Sequence, residues 1–329
     1  KSTFTHAEAQ QKISHKYNFQ NISMYKNSKI NLNTEIYSQL FNTKRKLTNT
    51  DEYKTGSYAR VFPIFGITSE TPFKFKKNKN LIINPKIQLA VSPGTSNSNK
   101  LSNEDSTIND IGFDNIFRLN RYSGSDKMDN SKRLSFGISA YNQKFRSSLA
   151  QTYEITSNSN FHKEQKNDDN LSDLFGSIGY SNINEFTYNF RYDLDNSYIK
   201  KSNVDFKAKT EYGDLELAYL DQNSRVNNII AKDIETINYS FISKKFYKFS
   251  KFNISGLYNL KKEINTEYSL GYSYFDECFG INLDFKRKSY EEDELKPQDI
   301  LTLMFSFKNI GSYKSTNLAV SKKQSIGWE

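Results

Sequence analysis

One cysteine, one tryptophan, three histidines and five prolines among 329 residues remove several classes of protein at once. The lone thiol, Cys278, has no second cysteine in the chain with which to form a disulfide. His6, His15 and His162 stand apart from one another and from acidic or cysteine partners at ligand spacing, so no metal site is expected. G-x-S-x-G, the phosphate-binding glycine loop and the dinucleotide fingerprint are all missing, and the reading is of no enzyme, no catalytic residue and no cofactor. The one tight acidic pair that could invite catalysis, Asp276-Glu277, is better explained as a solvated turn at a rim. No run of about 18 apolar residues occurs, which excludes a conventional transmembrane helix. The chain starts at Lys1 without a basic, apolar and small-residue leader, and reads as a mature product or a fragment.

What the chain does have is aromatic residues and charge. Tyr (22) and Phe (25) raise the aromatic fraction to 15%, a strand-favouring composition, while hydrophobic residues total only 36% and mean hydropathy is -0.76. These values are low for a helical membrane protein but suit a barrel with a wet interior, in which only alternate residues meet lipid. The net charge of +9 comes from 46 basic residues scattered among 37 acidic ones, which does not make a nucleic-acid surface.

Period two is the dominant pattern. Phe186, Tyr188, Phe190, Tyr192 and Leu194 alternate with Thr187, Asn189, Arg191 and Asp193; Tyr268, Leu270, Tyr272 and Tyr274 alternate with Glu267, Ser269, Gly271 and Ser273. Phe279, Ile281, Leu283 and Phe285, and then Leu301, Leu303, Phe305 and Phe307, repeat the rhythm. Successive side chains leave a strand on opposite sides, so each segment has one apolar and one polar face. Early segments read as strands at Ile13 to Tyr25, Ile30 to Leu40, Tyr53 to Gly66 and Leu81 to Val91, with a helix-tolerant start at Ala7 to Lys12 and an edge or rim at Pro63. Later ones fall at Arg133 to Tyr141, Arg146 to Ile155, Phe175 to Ser181, Val204 to Thr210, Leu215 to Leu220, Ile234 to Ile242 and Phe252 to Tyr258, for a total of about sixteen. Ten residues at a tilt near 45° span roughly 24 Å, the apolar height of an outer membrane. Periodicity alone leaves a soluble all-β binding protein, apolar side inward, as a competing reading.

The most informative run is Asn103 to Ile138. Asn103, Glu104, Asp105 and Ser106 form a polar cluster suited to a loop that opens at Pro93-Gly94. Two segments that alternate like strands follow, separated by a turn at Tyr122 to Asp126 in which Gly124 can take positive φ. On spacing alone this could be an ordinary loop between strands. However, the N-E-D-S cluster, then Asn115, Phe117, Leu119, Asn120, Arg121, Tyr122, Gly124 and Asp126, then Arg133, Leu134 and Gly137, resemble in order the C-terminal barrel of the LptD family. Asn84 to Pro93, Leu149 to Tyr153, Leu171 to Gly176 and Arg287 to Tyr290 resemble further family segments, so that the likeness covers Val61 to about Gly311.

The resemblance implies an all-β, antiparallel transmembrane barrel, the C-terminal part of a larger one, over residues 1–311; residues 312–329 read as a polar tail. It implies a bacterial outer-membrane location and insertion of lipopolysaccharide into the outer leaflet through a hydrated lumen and a lateral seam. Leu301, Leu303, Phe305 and Phe307 would lie on one side of that seam, the other side being a strand upstream of Lys1. Asn103, Glu104, Asp105, Ser106, Asn120, Arg121, Gly124 and Asp126 would form the functional loop and rim. Cys278 would pair with a cysteine of an N-terminal periplasmic segment absent from this sequence. Implied partners are lipopolysaccharide, an LptE-type lipoprotein plug and, through the absent N-terminal domain, an LptA-type periplasmic bridge. The chain departs from the pattern in its tail beyond Gly311 and in lacking the periplasmic jellyroll. A general diffusion porin is the alternative.

Overall fold

The computed structural model describes residues 7–47, 53–74, 80–92, 105–106, 111–113, 115–156, 170–226, 229–244, 247, 249–289, 298–308, 311–314 and 318–319. It has eighteen strands among these residues, three of them of four residues or fewer, and no α-helix. Two compact units emerge: residues 1–178 with 190–199, and residues 179–189 with 200–329. Three strands, β8 (Leu174–Ser181), β9 (Glu185–Asp193) and β10 (Tyr198–Lys209), contribute residues to both.

The first unit is built on three long strands, β1 (Ala7–Tyr25), β2 (Ser28–Leu47) and β3 (Tyr53–Glu70), each 18 to 20 residues. At about 3.3 Å per residue they are far longer than a bilayer's apolar height requires. β1 turns into β2 through Lys26-Asn27, where Lys26 takes φ 54°, the positive value that primed hairpin turns need. The helix-tolerant segment Ala7 to Lys12 is strand, because its backbone pairs with β2 from Ala7↔Lys46 to Lys12↔Phe41, and a sheet partner outweighs local propensity. Next come β4 (Phe73–Lys74), β5 (Ile82–Val91), β6 (Lys132–Tyr141) and β7 (Phe145–Glu154). Successive antiparallel ladders join β2 to β3, β3 to β5, β5 to β6 and β6 to β7.

Pro63 lies inside β3, just beyond Phe65, the last residue that pairs with β5. Its carbonyl accepts from Ser92 Oγ at 3.4 Å, so its missing N–H also faces away from β2 and removes no bond from the β2–β3 ladder.

The two faces of this unit are inverted relative to a soluble sheet. On β3, Val61 (60% exposed), Phe65 and Ile67 point out, whereas Arg60, Gly66 and Thr68 are buried with Phe62 and Ile64. On β5 and β6, Ile87, Leu89, Phe136 and Ile138 are exposed while Gln88, Arg133 and Ser135 are buried. Apolar side chains outward and polar ones inward is the distribution of a wall between lipid and a polar interior.

The second unit contains most of β10, then β11 (Gly213–Val226), β12 (Ile229–Ser243), β13 (Ser250–Asn259), β14 (Ile264–Phe275), β15 (Phe279–Lys288), β16 (Gln298–Phe307), β17 (Gly311–Lys314) and β18 (Leu318–Ala319). Register aligns apolar residues into a row, Ala208↔Leu215↔Phe241↔Ile254↔Leu270↔Phe285↔Leu301, beside a polar row, Glu216↔Ser240↔Ser255↔Ser269↔Lys286. Several strands outrun the sequence reading at polar ends, such as Asp221 to Val226 on β11, since alternation marks only the part of a strand that has an apolar face. Beyond β16, β17 pairs along Met304 to Phe307 and β18 along Ile300 to Leu301.

Candidate functional site

The described residues between 105 and 131 do not form strands that continue the sheet, contrary to the alternation of Asn115 to Tyr122. The described residues fold as a chain of turns and pack on the polar face of β1 to β7. The physical reason lies in who accepts and donates. The carbonyls of Ile116 to Leu119 and of Ser125 are met by side chains of the wall, not by a neighbouring strand. Ser135 Oγ donates to Ile116 O (3.2 Å), Gln88 Nε2 to Phe117 O (2.8 Å), Arg133 to Arg118 O and to Leu119 O (3.0 Å), and Gln39 Nε2 to Ser125 O (2.7 Å). Its apolar residues become knobs: Leu119 and Met128 pack with Tyr37, Phe62, Ile64 and Ala90, and Ile111 and Ile116 with Ala150 and Phe175. Gly66 makes the room, because a Cβ there would lie 2.4 Å from Leu119 Cδ2. The segment is thus an inserted plug.

Two charged nodes pin it. In the first, Lys12 Nζ on β1 donates to Asp105 Oδ2 (2.6 Å), Asp126 Oδ1 (2.7 Å) and Ser125 Oγ (2.8 Å). Asp105 Oδ1 accepts from the backbone N–H groups of Ser125 (3.0 Å) and Asp126 (2.8 Å), while Asp126 Oδ2 accepts from Asp105 N–H (3.0 Å). Ser106 Oγ receives the N–H groups of Asp126 (2.8 Å) and Lys127 (3.0 Å). Gly124 takes φ 74° at this junction, and a Cβ on it would fall 2.1 Å from Asp105 O. Burial would raise the Asp105 carboxyl, but Lys12 and the N–H and hydroxyl donors outweigh it and hold it well below the usual range.

The second node is a buried quartet of two arginines and two acids. Arg121 donates to Asp129 through Nε and to Glu154 Oε1 through Nη2 (2.7 Å), and Arg133 donates to Asp129 Oδ2 (3.1 Å) and Ser131 Oγ (2.7 Å). Arg133 on β6 is 0% exposed and lies opposite Glu154 on β7 in register. Asn120 Oδ1 accepts from Asp129 N–H (3.0 Å) and Tyr122 N–H (3.3 Å), fixing the bend between the two plug residues of the quartet. For Asp129, burial pushes its carboxyl up, yet Arg121 and Arg133 prevail and depress it; for Arg121, burial works against the charge, and Asp129 and Glu154 raise it. Tyr122 is pushed up by burial and by Asp129.

Of the residues expected in the loop and rim, Asp105, Ser106, Asn120, Arg121, Gly124 and Asp126 come together in this plug; Asn103 and Glu104 lie outside the described residues. The sequence reading missed the wall side: Lys12, Gln39, Arg60, Gln88 and Glu154. A usable signal was present in the pair Arg133 and Glu154, opposite charges at inward positions on the two arms of one hairpin. Among the described residues no cluster of three or more His, Cys, Asp or Glu could hold a metal ion.

In the second unit, Asp276 Oδ1 accepts the N–H groups of Cys278 (2.9 Å) and Phe279 (2.7 Å), so the acidic pair builds a turn. Cys278 is exposed, and its carbonyl accepts from Lys308 N–H at 3.0 Å, tying the turn to the end of β16. Leu301, Leu303, Phe305 and Phe307 share one face of β16, where Phe305 and Phe307 flank Phe279 at 6.2 and 5.4 Å between ring centres. β15 pairs along the whole of β16, and β17 and β18 cover parts of its other edge.

The family model described as LptD, LPS transport system D, matches residues 4–264, starting further upstream and ending sooner than the motifs suggested. The LPS-assembly protein LptD of Vibrio cholerae serotype O1 is 20% identical over 268 residues, covering 73% of this chain. The chain spans about a third of that relative's length, 34%. Among solved structures, a mutant porin of Rh. blastica covers 87% of the chain and is itself covered to 97%, at 9% identity and a TM-score of 0.32. A triple mutant of the Rhodopseudomonas blastica porin covers 87%, is covered to 96%, and gives 9% identity and a TM-score of 0.30. With the family model matching well over half of its residues, the chain belongs to the LptD family, as an all-antiparallel β-barrel portion located in the bacterial outer membrane.

Proposed function

We propose that this chain inserts lipopolysaccharide into the outer leaflet of the outer membrane, carrying the sugars along a hydrated interior and releasing the lipid sideways through a seam between strands. The observation that carries the reading is the inversion of the wall, with Val61, Phe65, Ile67, Ile87 and Leu89 outward and Arg60, Thr68 and Gln88 inward. A saccharide is solvated by such an interior, while acyl chains stay in apolar surroundings only if the wall opens at a strand edge. The edge of β16 is our choice for that seam, with Leu301, Leu303, Phe305 and Phe307 beside it and the short β17 and β18 as the elements that would have to yield. Cys278, exposed in a three-residue turn against the end of β16, is the attachment point for a cysteine of an N-terminal periplasmic domain, which in turn would meet an LptA-type bridge. An LptE-type lipoprotein is the expected partner in the lumen.

The test is photocrosslinking in cells, with the full-length protein carrying benzoylphenylalanine in place of Ser255 on the polar row or Leu270 on the apolar row. The expected outcome is a lipopolysaccharide adduct from Ser255 and phospholipid adducts from Leu270. A protein that gives no lipopolysaccharide adduct from Ser255 and passes small hydrophilic solutes would be a diffusion porin.

A further inference from the structure

Between the underside of the plug and the polar face of β1 and β2 lies an open groove of about 560 Å³, lined among others by Lys16, Asn33, Glu35, Arg118 and Tyr122. Most polar groups of the plug and its wall are committed to one another, but two at this groove are not. Among the described residues, Arg118 is exposed, and no hydrogen bond or ion pair of its guanidinium occurs, although its carbonyl is gripped by buried Arg133. Asn33 Oδ1 is shielded from solvent and has no hydrogen-bond partner. Lys16 adds a second cation, partly offset by Glu35, to which it donates at 2.9 Å; Glu35 also accepts from Tyr37 at 2.6 Å. The groove therefore offers a fork of five donors on a fixed backbone, a shielded acceptor for a hydroxyl, and an aromatic wall from Tyr122.

We propose that this groove is a binding subsite for an acidic saccharide, with Arg118 receiving a phosphate or carboxylate and Asn33 a ring hydroxyl. The proposal rests on the lipopolysaccharide-transport reading and assigns it a place where the charged sugars dwell beneath the plug. A guanidinium matches either oxyanion bidentately, which a lysine does not, so the site selects planar or tetrahedral anions on a hydrated ring.

The test uses the full-length protein with its native partners in cells, with benzoylphenylalanine replacing Tyr122, a conservative aromatic exchange at the groove. Adduct formation with lipopolysaccharide is compared for Arg118, Arg118→Gln and Arg118→Lys, and in strains whose lipopolysaccharide lacks either its phosphates or its acidic sugars. The expected result is a fall of about three- to tenfold in Arg118→Gln, the range for one charge-assisted interaction open to solvent, with partial retention in Arg118→Lys. The same fall should appear in whichever strain lacks the anion that Arg118 receives, which identifies phosphate or carboxylate. Adducts from Ser255 but none from position 122, or adducts from 122 indifferent to Arg118, would overturn the subsite and leave the transport reading intact. Absence of adducts from both positions would overturn both.

Discussion

Glu154 and Arg133 face each other across a β-hairpin, and neither could be buried without Arg121 and Asp129 arriving from the plug. The four charges sum to zero, and removing one leaves its partners charged in a dry place, at a cost of about 3–5 kcal/mol. Glu154→Met should therefore loosen the plug far more than a surface change, seen as protease cleavage between residues 105 and 131 in the detergent-solubilised protein. Gly124→Ala should act at the other node for a different reason, since an alanine at φ 74° is strained and its Cβ would collide with Asp105 O. The acids also set a pH window. Asp105 and Asp129 are depressed in the folded protein, so their contribution is complete above the ordinary aspartate value near 3.9 and is lost as pH falls from there toward the lower folded values. Protease resistance of the plug should thus stay flat down to about pH 4 and decline only below it.

At the scale of elements, the fit of plug to wall is a matter of single side chains. Gly66→Val should displace Leu119 and cost about 1–3 kcal/mol by overpacking, and Leu119→Ala should restore much of the loss; a double-mutant cycle on thermal unfolding in detergent measures the coupling. This fit was invisible in the sequence for a definite reason. Residues 115–122 alternate as a strand does, and only distant donors such as Gln88, Arg133 and Ser135 decide that their carbonyls are satisfied by side chains and not by a ladder. Strands were legible wherever one face met an apolar medium, as in Ile264 to Tyr274. They were illegible where the ladder ran on through polar residues, as at Tyr198 to Asn203, or through helix-tolerant ones, as at Ala7 to Lys12. The turn at Gly124 was legible because positive φ restricts the choice of residue, whereas Lys12, Gln39 and Arg60 carried no local mark of their role.

For the whole molecule, the decisive property is which medium each face meets, and the chain's single tryptophan, Trp328, makes this measurable. With Trp328 replaced by Phe, a tryptophan introduced at Val61, Phe65 or Ile67 should be quenched strongly by brominated lipids, and one at Thr68 should not be. An arginine at Phe65 should cost about 2–4 kcal/mol in folding into bilayers if that position lies near the midplane, falling toward zero near an interface. The attachment of an N-terminal domain at Cys278 is tested on the full-length native protein by electrophoresis with and without reductant. A long-range disulfide closes a large loop, so the oxidised protein should migrate differently from the reduced one, and the difference should vanish in Cys278→Ser. Because Cys278 is tied through Lys308 to the end of β16, that disulfide would also anchor one end of the strand proposed to border the seam. Reduction should then impair lipopolysaccharide adducts from Ser255 while leaving the protease resistance of the plug unchanged, since Lys12, Arg133 and Glu154 of the first unit pin the plug. Loss of both together would mean that the cysteine supports the fold as a whole and not the transport step.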